Sequence, residues 1–417
     1  MTILIPSLVY PPDNVSTAHV VGRLALEFQR AGHQVFVLTS TPHYHADNTG
    51  SWQQGLVNVF GSLVRRSSVD GIIAYHVWMP DKANPVPIRL LSWMWFHVVT
   101  TILGLFVARG ADVIFAPSPP LTIGLTAWVL GALRGIPFIY NVQEVYPDVA
   151  VTLGAMRRHS VIRFFRHIED WVYARAKVIT VIGSGMRANL LAKGVPAGKL
   201  VTIPNFIDPD ELPIRPRTNA FAEEHGLVDR FVVSYAGNVG VPQGLGTVLD
   251  AALRLRDRTD ILFLIVGDGA ALSALRSQAG RDGVENVRFL PFQPYSRVPD
   301  IYAASDICLV PQAEGTGLQG LPSKIYRIMA CGRPVVGICD ANSEVATLIQ
   351  EAQCGLVVRP SDPAALAEAI LSAYSSRETW AIRGLRGRRF VQDTYSVARV
   401  AGRYLALLDG LAPARQH

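Results

Sequence analysis

Short apolar runs alternate with longer amphipathic stretches along almost the whole chain. In the first half, Thr2–Leu8, Gln34–Ser40, Ile72–Met79, Asp112–Ala116, Phe138–Val142 and Val178–Ile182 read as strands. Thr17–Ala31, Leu90–Ala108, Pro120–Arg134 and Val161–Ala176 read as the helices between them. The pattern breaks near Pro204, where Ile203–Pro216 holds four prolines. It then restarts with strands at Phe231–Ala236, Ile261–Val266, Val287–Leu290, Ile307–Val310, Val335–Ile338 and Gly355–Val358. Helices fit Leu245–Arg256, Ala270–Ala279, Ser296–Ala304, Ser323–Cys331, Ser343–Glu351 and Pro363–Tyr374, and two more close the chain at Arg377–Asp393 and Val397–Leu408. Strands that are apolar throughout, separated by helices, describe parallel sheets covered on both faces. The expectation is an α/β chain of two doubly wound domains, residues 1–204 and 229–390, joined by a linker over 205–228. A last helix, within 391–417, is expected to return to the first domain.

One stretch tests a soluble reading. Leu90–Ala108 runs 19 residues without Asp, Glu, Lys or Arg, which reaches the length of a membrane span. A span there would separate strands that belong to one sheet, so a buried or membrane-surface helix is expected instead. Lys and Arg exceed Asp and Glu only by 39 against 33, and no nucleic-acid partner is expected. The excess is uneven, however: Arg157, Arg158, Arg163 and Arg166 cluster without an acid between them. Such a cluster is either a solvated helix face or a surface for phosphate-bearing or anionic-lipid partners. Cys308, Cys331, Cys339 and Cys354 form no C-x-x-C pair, which predicts reduced core thiols and no metal site. The N-terminus lacks a basic segment before its first strand, so a cytoplasmic protein without a signal peptide is expected.

Ligands of parallel α/β sheets bind beyond the carboxyl ends of the strands, and the loops there carry the informative residues. Gly237-Asn238-Val239-Gly240-Val241-Pro242-Gln243-Gly244 follows one strand, and Gly267-Asp268-Gly269 follows the next. Glycines before a helix permit close backbone approach to a phosphate, although a tight turn alone accounts for them. A third loop runs through Gln319, Gly320, Leu321 and Pro322 to Ser323, read as a helix N-cap, and Lys324. A lysine in a first helical turn opposes the helix dipole unless an anion lies over the same end. The order G-x-x-x-x-G-K-S/T is absent, so no P-loop nucleotidase is expected. In the first half, Glu144 and Asp148 follow a strand and are candidate catalytic groups for an acceptor hydroxyl. Asn14, after the first strand, is a candidate acceptor-binding residue.

These runs, with Ala-Gly-His-Gln-Val-Phe-Val-Leu-Thr, Ile-Pro-Asn-Phe-Ile-Asp, Tyr-Ala-Gly-Asn-Val-Gly and Met-Ala-Cys-Gly-Arg-Pro-Val-Val, resemble glycosyltransferase family four over nearly the whole chain. Within it, Tyr-Ala-Gly-Asn-Val-Gly and Leu-Pro-Ser-Lys resemble the branch of O-antigen N-acetyl-fucosamine transferases and colanic-acid enzymes. The resemblance implies a GT-B fold of two facing Rossmann-like domains and transfer with retention from a nucleotide sugar, taken as UDP-linked. It also implies a lipid-linked saccharide acceptor at the inner face of the cytoplasmic membrane, with no further cofactor. The chain departs from the family in four places. The diphosphate-binding Arg and Lys become Asn238 and Gln243, and the two glutamates of Glu-x7-Glu become Gln319 and Arg327. The expected redistribution has Lys324 supplying phosphate charge and Glu344 a carboxylate. A nucleotide-sugar hydrolysing epimerase, or a non-catalytic scaffold of the same fold, stays open.

Overall fold

The computed structural model describes residues 1–13, 15–43, 56–80, 86–152, 156–316 and 321–411, with backbone alone at 86–90. The chain divides into two compact units, one built from Met1–Asn205 with the chain from Val400 onward, the other from Phe206–Arg399.

The strands of the first unit are β1 (Thr2–Pro6), β2 (Gln34–Ser40), β3 (Val57–Phe60), β4 (Val64–Val69), β5 (Ile72–Val77), β6 (Val113–Pro117), β7 (Phe138–Val142), β8 (Val178–Val181) and β9 (Leu200–Thr202). Its helices are α1 (Ser16–Arg30), α2 (Val86–Val107), α3 (Ile123–Arg134), α4 (Asp148–Thr152), α5 (His159–Arg175) and α6 (Ser184–Ala192). The sheet order is β3-β4-β5-β2-β1-β6-β7-β8-β9. It is parallel from β5 to β9, and β3 and β4 add an antiparallel edge. Because β1 and β6 carry no outward polar face, every residue of β6 is buried. From β1 to β2 the chain moves one way along the sheet; from β6 through β7 to β8 it moves the other. Right-handed crossovers therefore put α1 on one face and α2, α3 and α5 on the opposite face. His97 of α2 joins Thr122, just before α3, at 2.7 Å and Thr126 within it at 2.9 Å, and Gly104 packs on Leu130. Among the described residues no helix is long and apolar enough to cross a membrane.

The second unit holds α7 (Ala220–Glu224), β10 (Phe231–Ala236), α8 (Gly246–Arg254), β11 (Ile261–Val266), α9 (Leu272–Arg281) and β12 (Val287–Leu290). It continues with α10 (Val298–Ala303), β13 (Ile307–Pro311), α11 (Lys324–Ala330), β14 (Val335–Ile338), α12 (Glu344–Ala352) and β15 (Gly355–Val358). Then come α13 (Pro363–Ser375) and α14 (Arg377–Thr394). The parallel order β12-β11-β10-β13-β14-β15 reverses direction between β10 and β13, and that reversal is a topological switch point. The cysteines are buried thiols, with burial pushing Cys308 up to about 11 and Cys331 to about 12.

Two expected boundaries change. The proline-rich stretch is packed onto the second unit: Arg215 pairs with Asp300 at 2.6 Å, Arg217 with Asp306 at 2.9 Å, and Asn219 caps α7. Polar residues within and just after its prolines have partners on that unit, which composition does not reveal. The return to the first unit also starts later than 391. Helix α14 stays with the second unit, where Arg388 bonds the carbonyl of Leu212 at 2.9 Å. Only the final helix, α15 (Val397–Asp409), enters the first unit's core, where Tyr404 is fully buried.

Candidate active site

In the second unit the switch point is built from backbone. Gly237 closes β10 at φ 147°, and its N–H donates to Val266 O at 2.9 Å. Gly267 sits opposite at φ 144°, where a Cβ would fall 1.9 Å from Gly237 O. Only glycine satisfies both the dihedral and the contact. The two turns interlock further: Val239 N–H donates to Asp268 O at 2.8 Å, and a Cβ on Gly269 would meet Val239 O at 2.4 Å. The loop after β13 joins them through Ala313 N–H to Pro242 O at 2.8 Å. Three strand-to-helix loops thus form one rim beside β10 and β13.

Lys324 reaches this rim. It opens α11, and its Nζ lies 3.9 Å from the centroid of the Tyr235 ring. A Cβ on Gly237 would stand 2.8 Å from that nitrogen, so the glycine also makes room for the ammonium. Burial, reinforced by the charge of Arg327, lowers the Lys324 ammonium to about 7. A surface lysine would not be shifted this way. Tyr235 is itself fixed by donating its hydroxyl to Asn238 O.

One expected side-chain bond is absent, that of Ser323, and two candidate residues have local backbone partners. Ser323 stands at the N-cap position of α11, but its backbone is helical and its side chain makes no cap bond; side-chain capping uses the extended conformation that Ser343 has before α12. Gln243 spends its side-chain oxygen on Gly240 N–H at 3.0 Å and holds the short turn after β10. Asp268 turns its carboxylate onto Gly269 N–H at 2.7 Å. Leu321 is partly buried against the core around α11. Glu344 opens α12 near Tyr326, whose phenol is raised first by burial and then by Tyr395 and Glu344. Gln319, Gly320 and Asn14 lie outside the described residues.

In the first unit the two candidate carboxylates part company. Asp148 is ion-paired with Lys193 at 2.9 Å, and Lys193 also holds buried Glu169 at 2.6 Å. Asp148 accepts from Asn189 as well, at 3.2 Å, so it braces α4 against α6. Glu144 is exposed at the end of β7, and partial desolvation raises its carboxyl above the usual range. Beneath it a buried polar chain fixes the strand end: Gln143 donates to Asn141 at 2.7 Å, and Asn141 donates to Thr180 and Tyr404, each at 2.9 Å.

Comparison with known proteins decides the family. Residues 17–205 match the model of the glycosyl transferase 4-like domain, and 230–376 match that of glycosyl transferases group 1. The chain belongs to these glycosyltransferases. It is 29% identical to the probable glycosyltransferase WbjE of Pseudomonas aeruginosa, over 63% of this chain and 66% of that protein. It is 25% identical to the putative colanic acid biosynthesis glycosyl transferase WcaI of Escherichia coli, over 84% and 86%. Among solved structures, Anabaena Alr3699/HepE in complex with UDP matches with TM-score 0.73 and 15% identity, over 98% of this chain and all of that one. The lipopolysaccharide glycosyltransferase WaaG matches with TM-score 0.64 and 16% identity, over 98% and 100%. The fold of this glycosyltransferase is GT-B, with two Rossmann-like parallel-sheet units.

Tyr235 is the site residue that sequence reading misses in this glycosyltransferase. Its place near the end of β10, before the glycine turn, is a weak signal in hindsight. Its contact with Lys324 joins residues far apart in the sequence, which no local motif announces.

Proposed function

We propose that this glycosyltransferase moves a sugar from a UDP-linked donor to a lipid-linked saccharide, with retention at the anomeric carbon, in bacterial surface polysaccharide synthesis. The observation that carries the donor half is the Lys324 ammonium, held over Tyr235 at the glycine-lined switch point. A nucleoside diphosphate gains charge as it leaves, and a cation with backbone N–H groups stabilises that charge. The Anabaena structures, complexes with UDP and with UDP-glucose, support the choice of donor. The colanic acid relative supports the pathway class. Of the two carboxylates, Glu144 is the group assigned to the acceptor hydroxyl, because its raised affinity for protons suits a general base. Asp148 is already committed to Lys193. Glu344 is assigned a hydroxyl of the donor.

The acceptor reading is supported by an apolar helix surface. Leu91, Met94, Trp95, Val98, Ile102 and Phe106 are 38–65% exposed and form one stripe along α2. On α5, Phe165 and Ile168 pack inward while Phe164 and Trp171 face out among Arg157, Arg158, Arg163 and Arg166. Arg175 lies over Trp171, 3.1 Å from the ring centroid. Exposed aromatics rimmed by arginine fit an anionic bilayer surface. Calorimetry with UDP and uridine tests the donor site. Lys324→Ala should weaken UDP binding by about 1.5–3 kcal/mol and leave uridine binding nearly unchanged. Equal losses for both, or none, would remove the diphosphate role.

A further inference from the structure

The first unit contains a cavity of about 480 Å³ that none of the assignments above uses. It lies between α1 and the β4–β5 hairpin, on the face of the sheet opposite α2, α3 and α5. Its floor is Ile72, Ala74 and His76, alternate residues of β5 that share one face. Its wall is His19, Gly22, Arg23 and Leu26, which recur at helical spacing on α1. Tyr10, Pro11 and Pro12 close one end, and they belong to the loop that leaves β1 at the first unit's own switch point, between β1 and β6. That loop is held tightly: Gly22 leaves the space that Pro11 fills, and a Cβ there would lie 2.5 Å from the proline ring.

The lining gives the ligand's class. The volume falls in the range of small-molecule sites. The permanently charged groups of the lining, Arg23 and Asp70, are one of each sign. His76 is kept neutral by burial, which lowers it to about 4, and it meets Ser67 at 2.8 Å. Tyr10, burial having raised its phenol to about 12, is also neutral. A charged ligand of either sign would meet one like charge, Asp70 or Arg23, and an apolar one would take water from the Asp70 carboxylate without replacing its hydrogen bonds. A ligand with many hydroxyls and flat apolar faces matches both the hydrogen-bonding groups and the Tyr10–proline end.

We propose that this cavity is a saccharide subsite that takes uncharged sugar residues of the acceptor. The assignment rests on the reading of the chain as a glycosyltransferase with a saccharide acceptor, and it adds where the glycan lies and its charge class. It places the glycan on the face of the sheet away from the exposed stripe of α2, so lipid and sugar portions would contact different surfaces.

The test uses the full-length protein on an array of neutral and uronate-bearing oligosaccharides, with UDP affinity measured in parallel by calorimetry. Two variants fill the cavity: Ala74→Leu from the floor, and Val69→Trp from an exposed position at the rim that the fold does not depend on. Neutral oligosaccharides should bind the native protein, and both variants should lose that binding at least tenfold with UDP affinity unchanged. Undiminished binding in a folded Val69→Trp protein overturns the location. Binding confined to uronates overturns the charge class, and no glycan binding by a protein that binds UDP overturns the subsite. Failure to bind UDP would count instead against the donor reading, and the cavity would be judged on the array alone.

Discussion

At the scale of single residues, the donor site depends on one cation whose proton is loosely held. With Lys324 near 7, the free protein loses that charge as pH rises through neutrality. A diphosphate binds the protonated form, so binding takes up a proton and weakens with rising pH. UDP affinity should fall close to tenfold per unit above about pH 7 and level off below it. Calorimetry in buffers of different ionisation enthalpy would detect the uptake; an affinity flat across this range would argue that Lys324 is not the group. Gly267→Ala should be as damaging as loss of the lysine, because the dihedral alone costs about 1–3 kcal/mol and the new Cβ collides with Gly237 O. It should lower both thermal stability and UDP binding. Glu144→Gln should reduce transfer and spare UDP binding, as assayed by product formation beside calorimetry. The glycines of this site were legible from sequence because a turn with φ above zero admits little else. The roles of Ser323 and Gln243 were not, because capping is decided by backbone conformation that neighbouring residues do not announce.

At the scale of elements, legibility followed burial. Strands β10 and β11 are buried almost throughout, so their sequences are unbroken apolar runs and their ends were read to the residue. Strands β3 and β4 were missed because they form an exposed edge: every residue of β3 is exposed, and β4 carries Arg65 and Arg66. With only Val64 of β4 buried in the core, neither shows the alternation that marks a strand. The stripe on α2 was hidden for a related reason, since its sequence is apolar on all sides and periodicity cannot tell which side meets the core. Trp93 packs inward and Trp95 outward. The surface it creates makes a prediction at this scale. The protein should float with liposomes containing anionic lipid and be released by salt as the arginines are screened. Trp95→Glu with Ile102→Glu should abolish flotation, whereas Arg163→Gln with Arg166→Gln should mainly reduce its dependence on anionic lipid. Flotation that survives the α2 pair would move the docking surface elsewhere.

At the scale of the whole molecule, the chain leaves the first unit at Asn205, builds the second, and comes back at Val400. The returning helix completes the first unit's core. Tyr404 sits edge-on to Phe115 at 5.5 Å and to Phe28 at 6.4 Å, and its hydroxyl accepts from Asn141. That bond ends the polar chain that holds the carboxyl end of β7 beside Glu144. The first unit therefore needs α15, while the described contacts of the Lys324 site lie within the second unit. Tyr404→Ala should cost the first unit about 3–5 kcal/mol, the range for emptying a large aromatic from a core. Tyr404→Phe keeps the ring contacts and should cost only about 1 kcal/mol, the net worth of one hydrogen bond. Neither should change UDP affinity, whereas both should lower transfer, since Glu144 loses the support beneath it. Denaturant unfolding beside UDP calorimetry separates these effects. If Tyr404→Phe weakened UDP binding, the donor contacts would have to extend beyond the second unit, and the assignment of the diphosphate to its switch point alone would fail.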